Sequence, residues 1–209
     1  ILAGETEYGV TWHSLSEGID EGDIYAPDSF EIGEEKTALS LNAKCFAEGI
    51  ASFGGLHEKI EQGTLSGQPQ TFDQRTYFAR QQRPHAAATI DFTRTAAEIA
   101  RLARGLEFGD RYTNPLAMPK VRTASGACAA IGVEAEVIAE THSAGTVISA
   151  AEDGAIITTA DGAVRIASLR DAAGNRITPC RALRAGDVLP ALDSAEADRL
   201  TELETELAK

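Results

Sequence analysis

The sequence is poor in bases: 19 Lys and Arg stand against 32 Asp and Glu, a formal net charge of −13. Nucleic-acid binding draws on a basic face, so this balance argues against a nucleic-acid partner. Methionine and tryptophan occur once each, and aromatic residues make up 6%. The three cysteines, Cys45, Cys128 and Cys180, lie far apart and are odd in number. No Cys-x-x-Cys or Cys/His spacing links them, which excludes a disulfide framework and supports no metal site. They are expected to be buried free thiols in a reducing cytoplasm. No apolar run approaches the roughly 18 residues that span a bilayer, so no membrane partner is expected and the location expected is cytoplasmic. No basic segment followed by an apolar core opens the chain, so no signal peptide is visible.

What is present is ordinary globular material, 43% hydrophobic and 24% charged over 209 residues. That length suits one large domain or two small ones. Residues 8–15 alternate as a strand does, and an acidic, glycine-bearing turn follows with Glu17, Asp20, Glu21 and Asp23 around Gly18 and Gly22. "DIYAPDSFEI" reads as a second extended segment, with Pro27 suited to an edge or bulge. A helix is expected from about Thr37 to Gln62, with Leu41, Cys45, Phe53, Leu56 and Ile60 on one face and Gly63 at its C-terminal end. Gly49, Gly54 and Gly55 inside it suggest close packing or a kink. A second helix follows in "TRTAAEIARLARGLEF", capped by Thr93 or Thr95, with Ile99, Leu102 and Leu106 aligned.

From Lys120 the texture changes. Short β-rich runs, "VEAEVIA", "GTVISAAEDG", "AIITTADG" and "AVRIASLR", alternate with glycine turns, the pattern of a small barrel or sandwich. A last helix starts near "DSAE", where Leu200, Leu203 and Leu207 form a thin apolar stripe suited to a docking face or a linker.

One segment carries more than periodicity. "GETEYGVTWHSLSEGIDEGDI" resembles the folate-dependent formyltransferase pattern G-x4-G-V-T-x-H-x6-D-x-G-x-I. The helix "TALSLNAKCFAEGIASFGGLHEKIEQG", the "ATIDF" segment and the following β-rich region continue the likeness along nearly the whole chain. The resemblance implies an α/β part followed by an all-β part. These would be the C-terminal portion of a Rossmann-like catalytic domain (residues 1–112) and a small OB-like β-barrel (113–195). Residues 196–209 would start a linker helix toward a further domain. The donor implied is N10-formyltetrahydrofolate.

The family's catalytic trio is Asn, His and Asp. Its Asp falls on Asp20. Its Asn and His belong to an N-x-H segment followed by Ser-Leu-Leu-Pro, which does not occur in these residues and is expected upstream of Ile1. The partners expected are therefore a missing N-terminal half or a downstream domain. The fragment is expected to be inactive alone and to leave apolar surface on its first helix uncovered. His13 belongs to the GVTxH element and is not the trio's histidine.

Formyl transfer needs an unprotonated amine to attack the formyl carbon and a base to take its proton. A carboxylate suits that task, so Asp20 is the expected catalytic base. His13, Gly18, Ile19 and Gly22 are expected to face the folate, the glycines allowing a flat ring close to the main chain. Arg80 and Arg83 are weaker candidates for the acceptor substrate. A solvated acidic turn is the plain alternative for this stretch, and it remains the reading for Glu17, Glu21 and Asp23.

The acceptor is read from charge and from one linker. Residues 118–195 hold seven bases and nine acids, which argues against tRNA. "LEFGDRYTNPLAMPKV" resembles the linker of formylation domains in nonribosomal peptide synthetases. This favours the amine of an activated or carrier-protein-bound amino acid in secondary-metabolite biosynthesis. A sugar nucleotide or methionyl-tRNA is the alternative acceptor. The alternative of another class is a non-catalytic interaction module with a degenerate catalytic half.

Overall fold

The computed structural model describes all residues except 34–36, 74, 80–81, 110–117, 125, 140–141 and 208–209. Residues 3–79 and 80–209 form two compact units. The chain is α/β followed by all-β, as the sequence implies.

In the first unit, β1 (Glu7–His13) pairs antiparallel with β2 (Ile24–Glu31). The register runs from Glu7 opposite Glu31 to Trp12 opposite Ala26, then slips so that His13 pairs with Ile24. Tyr25 is thus the extra residue of a bulge, a device that re-aims a neighbouring side chain. Helix α1 (Ala38–Glu61) lies on both strands. Thr37 and Ser40 close its first turn as a reciprocal capping box, and Gly63 ends it with φ +65°. Leu41 and Leu56 are buried on the inner face. Phe46, Ile50, Phe53 and Ile60 stay exposed. Added side-chain atoms at Gly49, Gly54 and Gly55 would meet nothing, so these glycines mark neither close packing nor a crowded crossing within this chain.

The second unit is built on an antiparallel sheet in the order β3-β4-β7-β6-β5, with β8 on β7. The strands are β3 (Lys120–Thr123), β4 (Gly126–Glu136), β5 (Val147–Ala150), β6 (Ala155–Thr158), β7 (Ala163–Arg170) and β8 (Arg176–Ile177). Among the described residues the ends of this path, β3 and β5, do not pair, so the curled sheet is open. Helix α2 (Ala96–Gly105) packs on β4 and β7. Ile90, Phe92 and Ile99 join Val133, Ile157, Val164, Ile166 and Leu169 in one continuous core. That shared core is why the compact unit begins at residue 80, upstream of the boundary at 112–113 set from the sequence.

Thr95, not Thr93, caps α2: its hydroxyl accepts from Glu98 N, and Glu98 accepts from Thr95 N at 3.0 Å. Thr93 instead closes a turn on the Asp91 carboxylate. The Thr95 contacts, first the backbone N–H and then the hydroxyl, hold the Glu98 carboxyl below the usual carboxylate range. A short helix, α3 (Pro179–Ala182), precedes the final helix, α4 (Ser194–Leu207).

The stretch His85–Ala88 is the least expected part of the fold. It forms a 3-10 turn in which Ala86, Ala87 and Ala88 have φ of 53°, 52° and 59°. Left-handed backbone costs an L-residue roughly 1–2 kcal/mol. Three buried residues in succession therefore need outside support. Ala86 N donates to Thr201 Oγ1 of α4 at 2.8 Å, and Lys120 Nζ donates to Ala87 O at 2.6 Å. Burial pushes the Lys120 ammonium below its ordinary pKa, and Glu204 of α4 opposes that shift. Arg122 pairs with Glu196 at 2.7 Å on the same helix. These contacts turn Ala197 and Thr201 inward. The stripe expected to dock is thereby rotated outward: Leu203 is 38% and Leu207 86% exposed.

The thiols also depart from expectation. Cys45 and Cys128 are half-buried, with desolvation pushing both thiols up, and Cys180 is exposed. Among the described residues, no helix is long and apolar enough to cross a membrane.

Candidate functional site

The acidic turn between β1 and β2 closes on itself. Ser14 N donates to Asp23 O at 3.0 Å, and Ser16 Oγ donates to Gly18 O at 3.2 Å. Gly22 is buried at the base of this loop, where a Cβ would collide with the Ser14 carbonyl. Its bare backbone thus serves the close approach of the loop's own two ends. A Cβ at Gly18 would meet only the mobile carboxylate end of Glu21. Asp20 sits at the tip with φ +57°, a left-handed conformation that Asp tolerates better than most residues.

The bulge and the left-handed tip bring two sequence candidates together. His13 Nε2 lies 3.5 Å from Asp20 Oδ1, with side chains 27% and 75% exposed. His13 Nδ1 is 2.9 Å from the Ser14 carbonyl, which accepts a hydrogen bond from it. With Nδ1 carrying that proton, Nε2 meets the carboxylate as a donor only in the imidazolium form. In the neutral form a lone pair faces Asp20, leaving its oxygens free for another donor.

Trp12 alternates to the other face of the hairpin. Its Nε1 donates to Ser52 Oγ of α1 at 3.1 Å, and its ring lies 5.2 Å from that of Phe53. Trp12 thus anchors the strand that carries His13. Ile19 is 84% exposed beside Asp20, and Leu15 is almost wholly exposed on the same loop.

Sequence reasoning missed one contributor. Gln70, read only as part of a loop, donates from Nε2 to Asp20 O at 3.0 Å and to Gly22 O at 2.6 Å. Nothing local in "GQPQ" announces this, since the partners lie about fifty residues away. Of the two arginines, Arg83 is half-buried in the second unit. Arg80 and half of the linker from Leu106 to Val121 lie outside the described residues.

Comparison with known proteins bears on both units. Residues 84–185 match the family "Formyl transferase, C-terminal domain". A methionyl-tRNA formyltransferase of Xanthomonas euvesicatoria is 30% identical over 193 residues, covering 92% of this chain and 60% of that protein. The chain therefore spans about three fifths of that curated relative. An N-formyltransferase from Helicobacter canadensis, solved with folinic acid and dTDP-3-aminofucose, superposes with a TM-score of 0.60 at 25% identity. That match covers 79% of this chain and 57% of the other. HypX from Aquifex aeolicus, solved with tetrahydrofolic acid, shares the fold: TM-score 0.54, 18% identity, covering 86% of this chain and 30% of that one.

Proposed function

We propose that the chain belongs to the formyltransferase family, to which residues 84–185 and the Xanthomonas relative are similar, and that the protein containing it transfers a formyl group from N10-formyltetrahydrofolate to an amine. The observation that carries this reading is the Asp20 loop, built on the Gly-Val-Thr-x-His hairpin with His13 3.5 Å from the carboxylate. Asp20 is the general base. It takes the proton from the attacking nitrogen as the tetrahedral oxyanion forms, directly or through water. An Asn and a His from an N-x-H segment upstream of Ile1 would donate to that oxyanion. His13, Gly18 and Ile19 face the pteridine of the donor, and Gly22 shapes the loop behind them. The exposed apolar side chain of Ile19 supports this assignment. Arg80 and Arg83 are the weaker candidates for recognising the acceptor.

The acceptor is the amine of an activated amino acid, held by a carrier protein or another carrier. The small acidic excess of residues 118–195 supports a carrier other than tRNA. The aminosugar nucleotide bound by the Helicobacter canadensis enzyme favours a second reading, a sugar-nucleotide acceptor. Methionyl-tRNA remains the acceptor suggested by the Xanthomonas relative.

The test is formyl transfer by the full-length protein, with carrier-bound aminoacyl groups, aminosugar nucleotides and methionyl-tRNA compared by mass gain. Transfer to one class is expected. Asp20→Asn should cut turnover roughly 10²–10⁴-fold, the usual worth of a positioned acid or base, while donor binding persists. Unchanged turnover would overturn the role of Asp20. No transfer to any amine, together with no N-x-H in the native gene upstream, would favour a non-catalytic interaction module instead.

A further inference from the structure

We propose that Gln70 is a positioning residue for Asp20, a role that rests on the reading of Asp20 as the base. Asp20 is three-quarters exposed, and its carboxylate has one neighbour of note, His13 at 3.5 Å. That distance is too long for a strong hydrogen bond. The direction of the carboxylate is therefore set mainly by the backbone beneath it, and that backbone is left-handed at Asp20. Left alone, an exposed loop in this conformation would relax toward commoner dihedral angles.

The side-chain amide of Gln70 opposes that relaxation. Its two N–H groups are shared between the carbonyls of Asp20, at 3.0 Å, and Gly22, at 2.6 Å. These carbonyls flank the peptide units that carry the turn, so the amide spans the tip of the loop. The amide itself is placed by its own strand of chain. Ile24 and Gln68 exchange both backbone hydrogen bonds at 2.8 Å, which puts Gln70 two residues further along in an extended segment. Gly67 makes this approach possible, because a Cβ there would press on Asp23 Cβ at 2.8 Å and on the Tyr25 ring at 2.9 Å. The segment 67–70 is thus a clamp on the catalytic loop from outside the motif.

The chemistry of the contact is selective. Two carbonyls need two donors at one point. Glutamine supplies them, methionine of similar length supplies none, and ionised glutamate would face both carbonyls with negative charge. Lysine can supply them again. Misplacing a reacting group by about 1 Å costs on the order of 100-fold in rate. Loss of the clamp should therefore appear in kcat rather than in acceptor binding.

The experiment uses the full-length protein and steady-state formyl transfer to its best acceptor. Gln70→Met should lower kcat roughly 10- to 100-fold with the acceptor KM within about twofold. Gln70→Lys should recover most of that loss. In an Asp20→Asn background, Gln70→Met should cost nothing further, because the group it orients is already gone. If Gln70→Met fails to fold, Gln70→Lys against Gln70→Glu decides the matter: the donor should be active and the acceptor impaired. Equal activity in that pair, full activity of Gln70→Met, or losses that multiply with Asp20→Asn would each overturn the positioning role. An unaffected Asp20→Asn would instead overturn the base assignment itself, and the inference with it.

Discussion

The two compact units handle their apolar side chains in opposite ways. In residues 80–209, β4, β6 and β7 and the helix α2 close on a continuous core, in which Ile157, Ile166 and Leu169 lose all contact with solvent. In residues 3–79 the hairpin and α1 bury Leu41 and Leu56, while Phe46 and Ile50 remain 68% and 76% exposed. These two side chains, with Trp12, Cys45, Gly49 and Phe53, line an open apolar depression of about 450 Å³. The difference teaches that the β-rich unit encloses its core within residues 80–209, whereas the unit carrying Asp20 leaves one face of α1 uncovered among the described residues. The candidate site is thus found in the less well-supported of the two units.

The sharpest way to break that comparison is through the larger core. Leu169→Ala should cost about 2–5 kcal/mol in denaturant unfolding, the range for a fully buried leucine. A loss below about 1 kcal/mol would show that the β-rich unit is less tightly packed than its burial indicates.

The cap of α2 should matter less, with Thr95→Ala costing about 1 kcal/mol. This cap also sets a pH dependence. The Glu98 carboxyl titrates below its ordinary range in the folded chain. Its contribution is therefore present above the unfolded carboxylate range and is lost as pH falls through the lowered folded value. Unfolding followed from neutral to strongly acid pH should show the Thr95→Ala penalty shrinking at the acid end.

Ala87→Gly should act in the opposite direction, stabilising by up to about 1 kcal/mol, because glycine adopts left-handed backbone without the Cβ penalty. A destabilisation by the same substitution would mean that the packing of the Ala87 methyl outweighs its strain.

The smallest stability effect is expected in the first unit. Phe46→Ser with Ile50→Ser should leave unfolding within about 0.5 kcal/mol, since neither side chain is buried. The pair should nevertheless reduce the binding of an apolar dye. A large loss of stability would place these residues in a core after all, and the contrast between the units would fail.

Much of this architecture was legible in the sequence because its signals are local. The helix over Ala38–Glu61 follows from apolar spacing, the threonine cap at one end and Gly63 at the other. Strands β5, β6 and β7 follow from β-branched runs cut by "EDG" and "ADG" turns. The motif singled out His13 and Asp20, but their proximity came from the bulge and the left-handed tip of the loop. The inward face of α4 was not legible. Leu203 and Leu207 pointed outward, and Leu200 was half-buried, because Thr201, Glu196 and Glu204 had partners on Ala86, Arg122 and Lys120. Apolar periodicity does not register such polar contacts. The buried thiols were overcalled for a related reason: cysteine is buried on average, but Cys180 lies on an exposed turn of α3.

The sequence by itself determined the main helices, the strands with their turns, and the likeness to formyltransferases. Each rests on residues within one or two turns of chain, or on a motif read in order. Only the tertiary structure decided the left-handed alanine turn, the face α4 presents and the clamp of Gln70 on the Asp20 loop. Each of these is a hydrogen bond or ion pair between groups tens of residues apart. Such a pair forms when folding brings its members together, and it leaves no periodic trace in the chain beforehand.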